Sequence, residues 1–529
     1  MNEAAFQATE RARARTLLDL LRESRINLRA DVAPALLQQE TGLQQKILSL
    51  TPRPDDPQKE KLLAANKETP GATLEELQKV RARIRQASPR FADLTEPQPP
   101  SVQEIQTQLL DPDTLLLAYS LGEKRSFLFT ITDQTFRSYE LPGRAEIETA
   151  AKRFYELLTA RSRTVRFEEA APRAARIRQA EQELATAGRE LSRMILSPVA
   201  AEPGNKRLVI VADGMLQYVP FAALPNPSVV RRPLSVVKGD APRPADNGQR
   251  TTDYGQPLIV THEIITLPSV SVMMLLRSEL AARKPAPKAV AVLADPVFEA
   301  SDPRVKAAAS ANNQKPGTAA RLSPLARSLR SFDDRAGLTR LLLSRDEAEA
   351  IASAVPASER LKALDFRASR AAAVSAELSQ YRIVHFATHG LVNTQQPELS
   401  GLVFSLVDET GKPQDGFLQA HEIFNLKLPA ELVVLSACQT GLGREVKGEG
   451  LVSLTRGFMY AGAARVVASQ WRVDDYATSV LMKKFYRGML QEKLPAAAAL
   501  RKAQIEMLQQ QQWRSPFYWA AFVLQGEWK

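Results

Sequence analysis

From about residue 205 onward the chain alternates two patterns. Short apolar runs with no polar residue between them are followed by stretches with apolar positions three and four apart. "KRLVIVADG", "KAVAVLADPVF", "YRIVHFATHG", "ELVVLSACQTG" and "ARVVASQWRV" are the apolar runs. "SVSVMMLLRSELAAR", "SRDEAEAIASAVP", "GLVSLTRGFMYAGA" and "DYATSVLMKKFYRGML" are the helical stretches. A strand with one wet face alternates apolar and polar residues, so unalternated strands joined by helices imply a mostly parallel sheet covered on both faces. The expected class is therefore α/β, with layers ordered helix, sheet, helix. In "SRDEAEAIASAVP", Ser344 followed by Glu347 predicts a capping box, and "PLIVTHEIITLPS" is expected to add further strand.

The preceding sequence differs. Residues 1–95 carry helical spacing in "AFQATERARARTLLDLLRESRINL" and "TLEELQKVRARIRQA", with charges between, and predict a helical arm. "TEPQPPS" closes it with prolines. Residues 105–200 then open with "TLLLAYSLG", "RSFLFTITD" and "TFRSYELP", short strands split by turns that predict an antiparallel meander, followed by two helices. The core unit is expected at 201–529, interrupted by two segments rich in Pro, Ala, Ser, Asn and Arg, 225–256 and 299–337. Connections of that length usually serve function or lack fixed structure.

Charge and cysteine content narrow the function classes. The net charge of +11 suggests a nucleic-acid partner. However, Glu299–Arg345 holds nine Lys/Arg against four Asp/Glu, and Pro225–Gln256 five against three. Seven of the eleven excess charges thus fall in loop-like segments rather than on a folded face. No zinc-finger spacing or aromatic RNA-binding strand accompanies them, so nucleic acid is not expected as the direct ligand. No run approaches the length of a membrane span, and "MNEAAFQATERARAR" lacks the apolar stretch of a secretory signal. A single cysteine rules out an intramolecular disulfide and fits a reducing compartment, so the cytoplasm is expected.

That cysteine, Cys438, follows the apolar run "LVVL". Ligands bind open parallel sheets beyond the carboxyl ends of the strands, and His389–Gly390 ends another apolar run. If the two strands are neighbours, imidazole and thiol meet at one edge. A thiol is only a few per cent ionised near neutral pH, so an adjacent imidazole is its simplest activator. The N–H groups of Gly390 and Cys438 are candidate oxyanion donors. A lone cysteine after an apolar run is more often a small buried residue; the paired His–Gly segment is what favours chemistry. His385 and His389 lie four apart, which on a strand separates them by roughly 13 Å, too far to share a metal. No metal or cofactor is expected. His385, His262 and His421 are read as structural.

The segments "RLVIVADGMLQYVPFAALP" (207–225), "VAVLADPVF" (290–298), "VHFATHG" (384–390), "LVVLSACQTGLG" (432–443), "GEGLVSLTRGFMYAGAARVVASQWRVDDYAT" (448–478) and "SPFYWAAFVLQGEW" (515–528) resemble the CHAT domain, a caspase- and separase-like cysteine peptidase family often attached to TPR-type helical repeats. The likeness runs in order over roughly 105–527. Caspase nucleophile segments have their histidine about 50 residues upstream; here His389 lies 49 positions before Cys438. The resemblance implies a caspase-like α/β/α sandwich, His389 as general base, Cys438 as nucleophile, and cleavage of a protein substrate without metal. In separases a Trp-containing stretch like "QWRVDD" supplies an acid for a basic P1 residue. This makes Gln470, Trp471, Asp474 and Asp475 the expected substrate-binding residues. Arg472 stands where the separase-like pattern has an acid, and "VDD" also reads as a helix N-cap. Residues 1–95 would join repeats to the peptidase and receive an activating protein partner. The alternative is a non-catalytic CHAT scaffold for protein binding.

Overall fold

The computed structural model describes residues 2–23, scattered helical positions between 35 and 83, and 99–529 apart from 164, 166, 203, 229–254, 282, 307–337, 392–399 and 437–449. The chain forms two compact units, residues 7–99 and residues 1–6 with 100–529. Helix α1 spans Asn2–Glu23. Within the smaller unit, Leu77 and Val80 are buried three positions apart, as helical spacing requires.

The larger unit is built on one eleven-stranded sheet. Its first strands are β1 (Thr114–Ser120), β2 (Ser126–Ile131) and β3 (Phe136–Leu141). They form the expected antiparallel meander. Helices α2 (Arg144–Leu158) and α3 (Ala170–Leu196) follow. Next come β4 (Arg207–Val211), β5 (Ile264–Thr266) and β6 (Lys288–Ala294). Helix α4 (Leu342–Ser353) leads to β7 (Arg360–Leu364) and β8 (Tyr381–Ala387). A separate three-stranded antiparallel sheet contains β9 (His389–Leu391), β10 (Gly401–Val403) and β11 (Phe417–Gln419). The main sheet resumes with β12 (Leu432–Leu435), helix α5 (Gly450–Tyr460), β13 (Arg465–Ser469), helices α6 (Asp475–Tyr486) and α7 (Ala496–Leu508), and β14 (Phe522–Gly526).

The strand order is β3-β2-β1-β4-β5-β14-β13-β12-β8-β6-β7. All pairs from β1 to β7 are parallel except β14–β13. The chain is thus α/β with a mostly parallel central sheet, as the apolar runs imply. The division expected near residue 200 is not a break in the sheet, because β1 pairs directly with β4. Adjacent strand residues point to opposite faces, and β8 shows both faces covered. His385 meets Tyr486 of α6 on one side, while Phe386 packs on Phe458 of α5 on the other. The ends of the first long insertion are pinched together, with Pro225 bridging Pro257 and Asn226 N–H donating to Gln256. Residues 229–254 and 307–337 of the two insertions lie outside the described residues.

Two local expectations are corrected. "PLIVTHEIITLPS" yields only the three-residue β5, because Leu258–Thr261 coil into a helical turn after Pro257. Ser344 is not an N-cap. Helix α4 begins at Leu342, and the Ser344 hydroxyl instead accepts the backbone N–H of Asp295. Glu347, the supposed capping partner, is buried and reaches a strand.

Candidate functional site

Parallel strands bring their carboxyl ends to one edge. In this sheet β7, β6, β8, β12 and β13 end there side by side. The β8–β12 ladder pairs Leu432 with Ile383 and Leu435 with Phe386, each pair 49 positions apart. That offset equals the spacing from His389 to Cys438. The backbone N–H of Ser436, the last described residue of this segment, donates to the Phe386 carbonyl at 2.9 Å. The two strands expected to be neighbours are neighbours. Cys438 lies outside the described residues.

His389 does not simply project from the end of β8. After Thr388 the chain enters the small sheet, where His389 pairs with Val403 and Gly390 with Leu402. Leu338, Phe298, Leu391, Val403 and Phe417 form a separate apolar cluster beside it. The Phe298 ring centre lies 5.0 Å from that of His389. The imidazole is 5% exposed, and its Nε2 is 2.6 Å from the Thr339 carbonyl. A carbonyl only accepts, so Nε2 carries the hydrogen, and in the neutral ring Nδ1 is left with its lone pair. Burial pushes the His389 pKa below the ordinary value; the Thr339 bond opposes this and nearby Arg472 adds to it. The ring is therefore neutral at physiological pH, the state a general base needs.

This depression has a consequence for stability. His262, buried with its Nδ1 2.9 Å from the Lys206 carbonyl, is also held low by burial. When the folded pKa lies below the unfolded one, the unfolded chain takes up the proton first as pH falls. The stability linked to these rings is full above about pH 6.5 and is lost as pH falls from there toward the folded values. His262→Gln should flatten the decline of the urea midpoint between about pH 7 and 5. An unchanged slope would mean that His262 titrates alike in both states.

The "QWRVDD" segment leaves β13 at the same edge. Trp471 is fully buried, with Nε1–H donating to the Phe517 carbonyl at 3.1 Å. Gln470 is buried too. Its side-chain N–H donates to the Gln217 carbonyl, and its own carbonyl accepts from Tyr155. Its Oε1 has no hydrogen-bond partner among the described residues. Both side chains are thus packed into the frame instead of lining an open cleft. Asp474 is the N-cap of α6, accepting the Ala477 N–H at 2.9 Å. Asp475 keeps an exposed side chain. Crowding by surrounding protein still raises its pKa, against the pull of Arg472. Arg472 acts electrostatically on both His389 and Asp475, so this segment shares the histidine's surroundings.

Sequence reasoning missed two buried polar groups here. On one face His385 Nδ1 lies 2.9 Å from the Tyr486 hydroxyl, and its Nε2 3.0 Å from Glu347 Oε1, close but not aligned as a hydrogen bond. The Ser436 hydroxyl donates to Glu347 Oε2 at 3.2 Å, which ties α4 to the exit of β12. The second group centres on Asp295 and Asp365, which directly follow β6 and β7 and pair with Arg304, Arg340 and Arg345. Burial pushes the Asp365 carboxyl up, but Arg345 and Arg304 hold it below the ordinary range. Asp302, bonded to Arg304, is lowered to about 2. An acid directly after an apolar strand was the available signal, the same one that singled out His389 and Cys438. Among the described residues, no three His, Cys, Asp or Glu side chains gather to hold a metal, and no helix is long and apolar enough to cross a membrane.

The class is thus an α/β protein whose mostly parallel sheet gathers at one edge a buried neutral histidine and the exit of β12, described as far as Ser436, two residues short of Cys438. The chain belongs to the CHAT domain family, whose profile matches residues 185–527. Among curated proteins it is 31% identical over 184 residues to tetratricopeptide repeat protein 28 of Homo sapiens, covering 29% of this chain and 7% of that one. The Mus musculus protein of the same name is 38% identical over 109 residues, covering 21% and 4%. The matched segments thus span only a small part of those relatives' length. Two crystal structures of the Saccharomyces cerevisiae separase–securin complex align over 93% of this chain and 37% of theirs, each with a TM-score of 0.45 and 10% identity.

Proposed function

We propose that this chain is a cysteine peptidase that cleaves a protein substrate through His389 and Cys438. The adjacency of β8 and β12, at an offset equal to the His389–Cys438 spacing, is the observation that carries it. As the Cys438 sulfur attacks the scissile carbonyl carbon, the thiol proton passes to Nδ1 of His389. A C–S bond forms and the carbonyl oxygen becomes an oxyanion, received by the N–H groups of Gly390 and Cys438. The C–N bond breaks as His389 gives that proton to the leaving amine. Water then attacks the thioester, losing a proton to His389, which returns it to the departing thiolate.

Asp475 is the acid that reads a basic P1 residue, while Asp474 fixes its position by capping α6. Gln470 and Trp471 support the segment from within the packing. No metal or cofactor enters the mechanism. The protein acts in the cytoplasm, and an activating protein partner binds the N-terminal helices.

A peptide inhibitor with a basic P1 residue and a thiol-directed warhead should modify Cys438, as located by mass spectrometry of the digested protein. The non-catalytic scaffold is favoured by one observation, that Trp471 and Asp474 are committed to packing and capping. Absence of Cys438 labelling in the folded protein would establish that second reading instead.

A further inference from the structure

Thr339, whose carbonyl orients His389, belongs to no helix or strand. It is exposed, and residues 338–341 run without regular structure into α4. Something other than a backbone ladder must hold that carbonyl in place. The next residue, Arg340, lays its guanidinium on Asp295 as a fork, with Nε 2.8 Å from Oδ1 and Nη2 2.7 Å from Oδ2. Paired donors of this kind fix both distance and orientation.

Asp295 is built to receive that fork. It is fully buried and directly follows β6, the neighbour of β8. Its φ is +49°, a left-handed conformation that costs a non-glycine residue free energy and persists only where its surroundings enforce it. Arg345 Nε meets Oδ2 at 2.8 Å, and Arg304 Nη1 lies 3.1 Å from Oδ1. The backbone is held as well: its N–H donates to Ser344 and its carbonyl accepts from Arg304. A buried carboxylate requires such pairing, but pairing alone does not explain why one arm reaches the residue after Thr339.

We infer that Asp295 is a positioning residue for the His389 base: through Arg340 it fixes the Thr339 carbonyl, which holds the hydrogen on Nε2 and leaves Nδ1 with its lone pair. This rests on the peptidase mechanism for its purpose but not for its measurement. Asp365 is a built-in control. It also directly follows a strand, has a φ of +56°, and pairs with Arg304 and Arg345, but makes no contact with Arg340 among the described residues. Asp365→Asn therefore removes one charge from the same cluster without touching the path to Thr339. Asparagine tolerates the left-handed conformation, so neither Asp→Asn change forces the backbone to move.

The experiment uses full-length protein carrying 15N-labelled histidine, with the His389 ring signals assigned by their loss in His389→Gln. Wild type and Asp365→Asn should show His389 as the single Nε2–H tautomer. Asp295→Asn should show mixed or exchanging tautomers. It should also slow alkylation of Cys438 by a thiol-directed peptide on the order of tenfold to a hundredfold, as expected when a catalytic group loses its orientation. If Asp295→Asn does not fold, Arg340→Gln serves instead, because it leaves Asp295 paired with Arg304 and Arg345. Retention of the Nε2–H tautomer in folded Asp295→Asn, or in Arg340→Gln, overturns the inference. The tautomer is read without turnover, so a protein that never cleaves or labels fails the peptidase proposal and leaves this one to be judged separately.

Discussion

Removal of the last eight residues, Phe522 to Lys529, is expected to leave no cooperatively folding protein. Strand β14 is central to the sheet. It lies between β5 and β13 and joins the strands β3 to β5 to the site-bearing strands β13 to β7. It pairs with β13 over five positions, from Arg465–Gly526 to Ser469–Phe522. Phe522, Leu524 and Trp528 are almost completely buried, and each such side chain contributes about 1.5–3 kcal/mol. Their sum is comparable with the roughly 5–15 kcal/mol that holds a typical domain together. The segment also supplies Glu527, which takes both arms of Arg277, and Trp528, under the same guanidinium at 4.5 Å. Its loss would expose the edges of β5 and β13, a template for aggregation. Circular dichroism and thermal unfolding of the truncated chain are the checks. A soluble product with one sharp transition would mean that the two groups of strands hold together without β14. Gly526→Ala is a milder probe, since φ is +107° and a Cβ would come within 2.6 Å of the Ala464 carbonyl oxygen.

Cys438→Ala should abolish both peptide cleavage and covalent labelling, and His389→Ala should slow both by about a hundredfold to ten-thousandfold, the usual worth of a positioned general base. The two losses should not add, because a base without its nucleophile has no proton to take. Thermal unfolding separates chemistry from folding in these variants. Among the described residues the His389 side chain makes one hydrogen bond, to Thr339, so His389→Gln should retain the fold while losing the rate. Equal labelling of wild type and His389→Ala would show that the thiol reacts unaided and that the histidine is structural.

Much of this arrangement was legible because the relevant signals are local. Unalternated runs such as "KAVAVLA" and "LVVL" become strands buried along most of their length. The short run before Cys438 and the longer one before His389 fell into adjacent parallel strands. The N-cap that "VDD" also allowed is taken by Asp474, while Asp475 is exposed.

The misreadings share one cause, partners that are distant in sequence. Ser344 and Glu347 have capping-box spacing, but Ser344 serves Asp295, 49 residues away, and Glu347 is drawn to His385 and Ser436. Trp471 sits in a segment that resembles a cleft wall, yet the Phe517 carbonyl holds its indole inside. In sequence the His389–Gly390 stretch reads only as the polar end of the β8 run. It becomes β9 because residues 401–403 and 417–419 supply strands for it to join. The Arg340–Asp295–Thr339 path has no spacing signature at all, since it depends on how a strand end and a loop meet in space.

The most direct test of the dyad is a crystal structure that includes Cys438, and the quantity to measure is the distance from Cys438 Sγ to His389 Nδ1. A peptidase requires the two atoms within roughly 7 Å, facing one cleft, since unliganded catalytic contacts are often loose. Side chains on opposite faces of the sheet, with Nδ1 turned away from the sulfur, would contradict it.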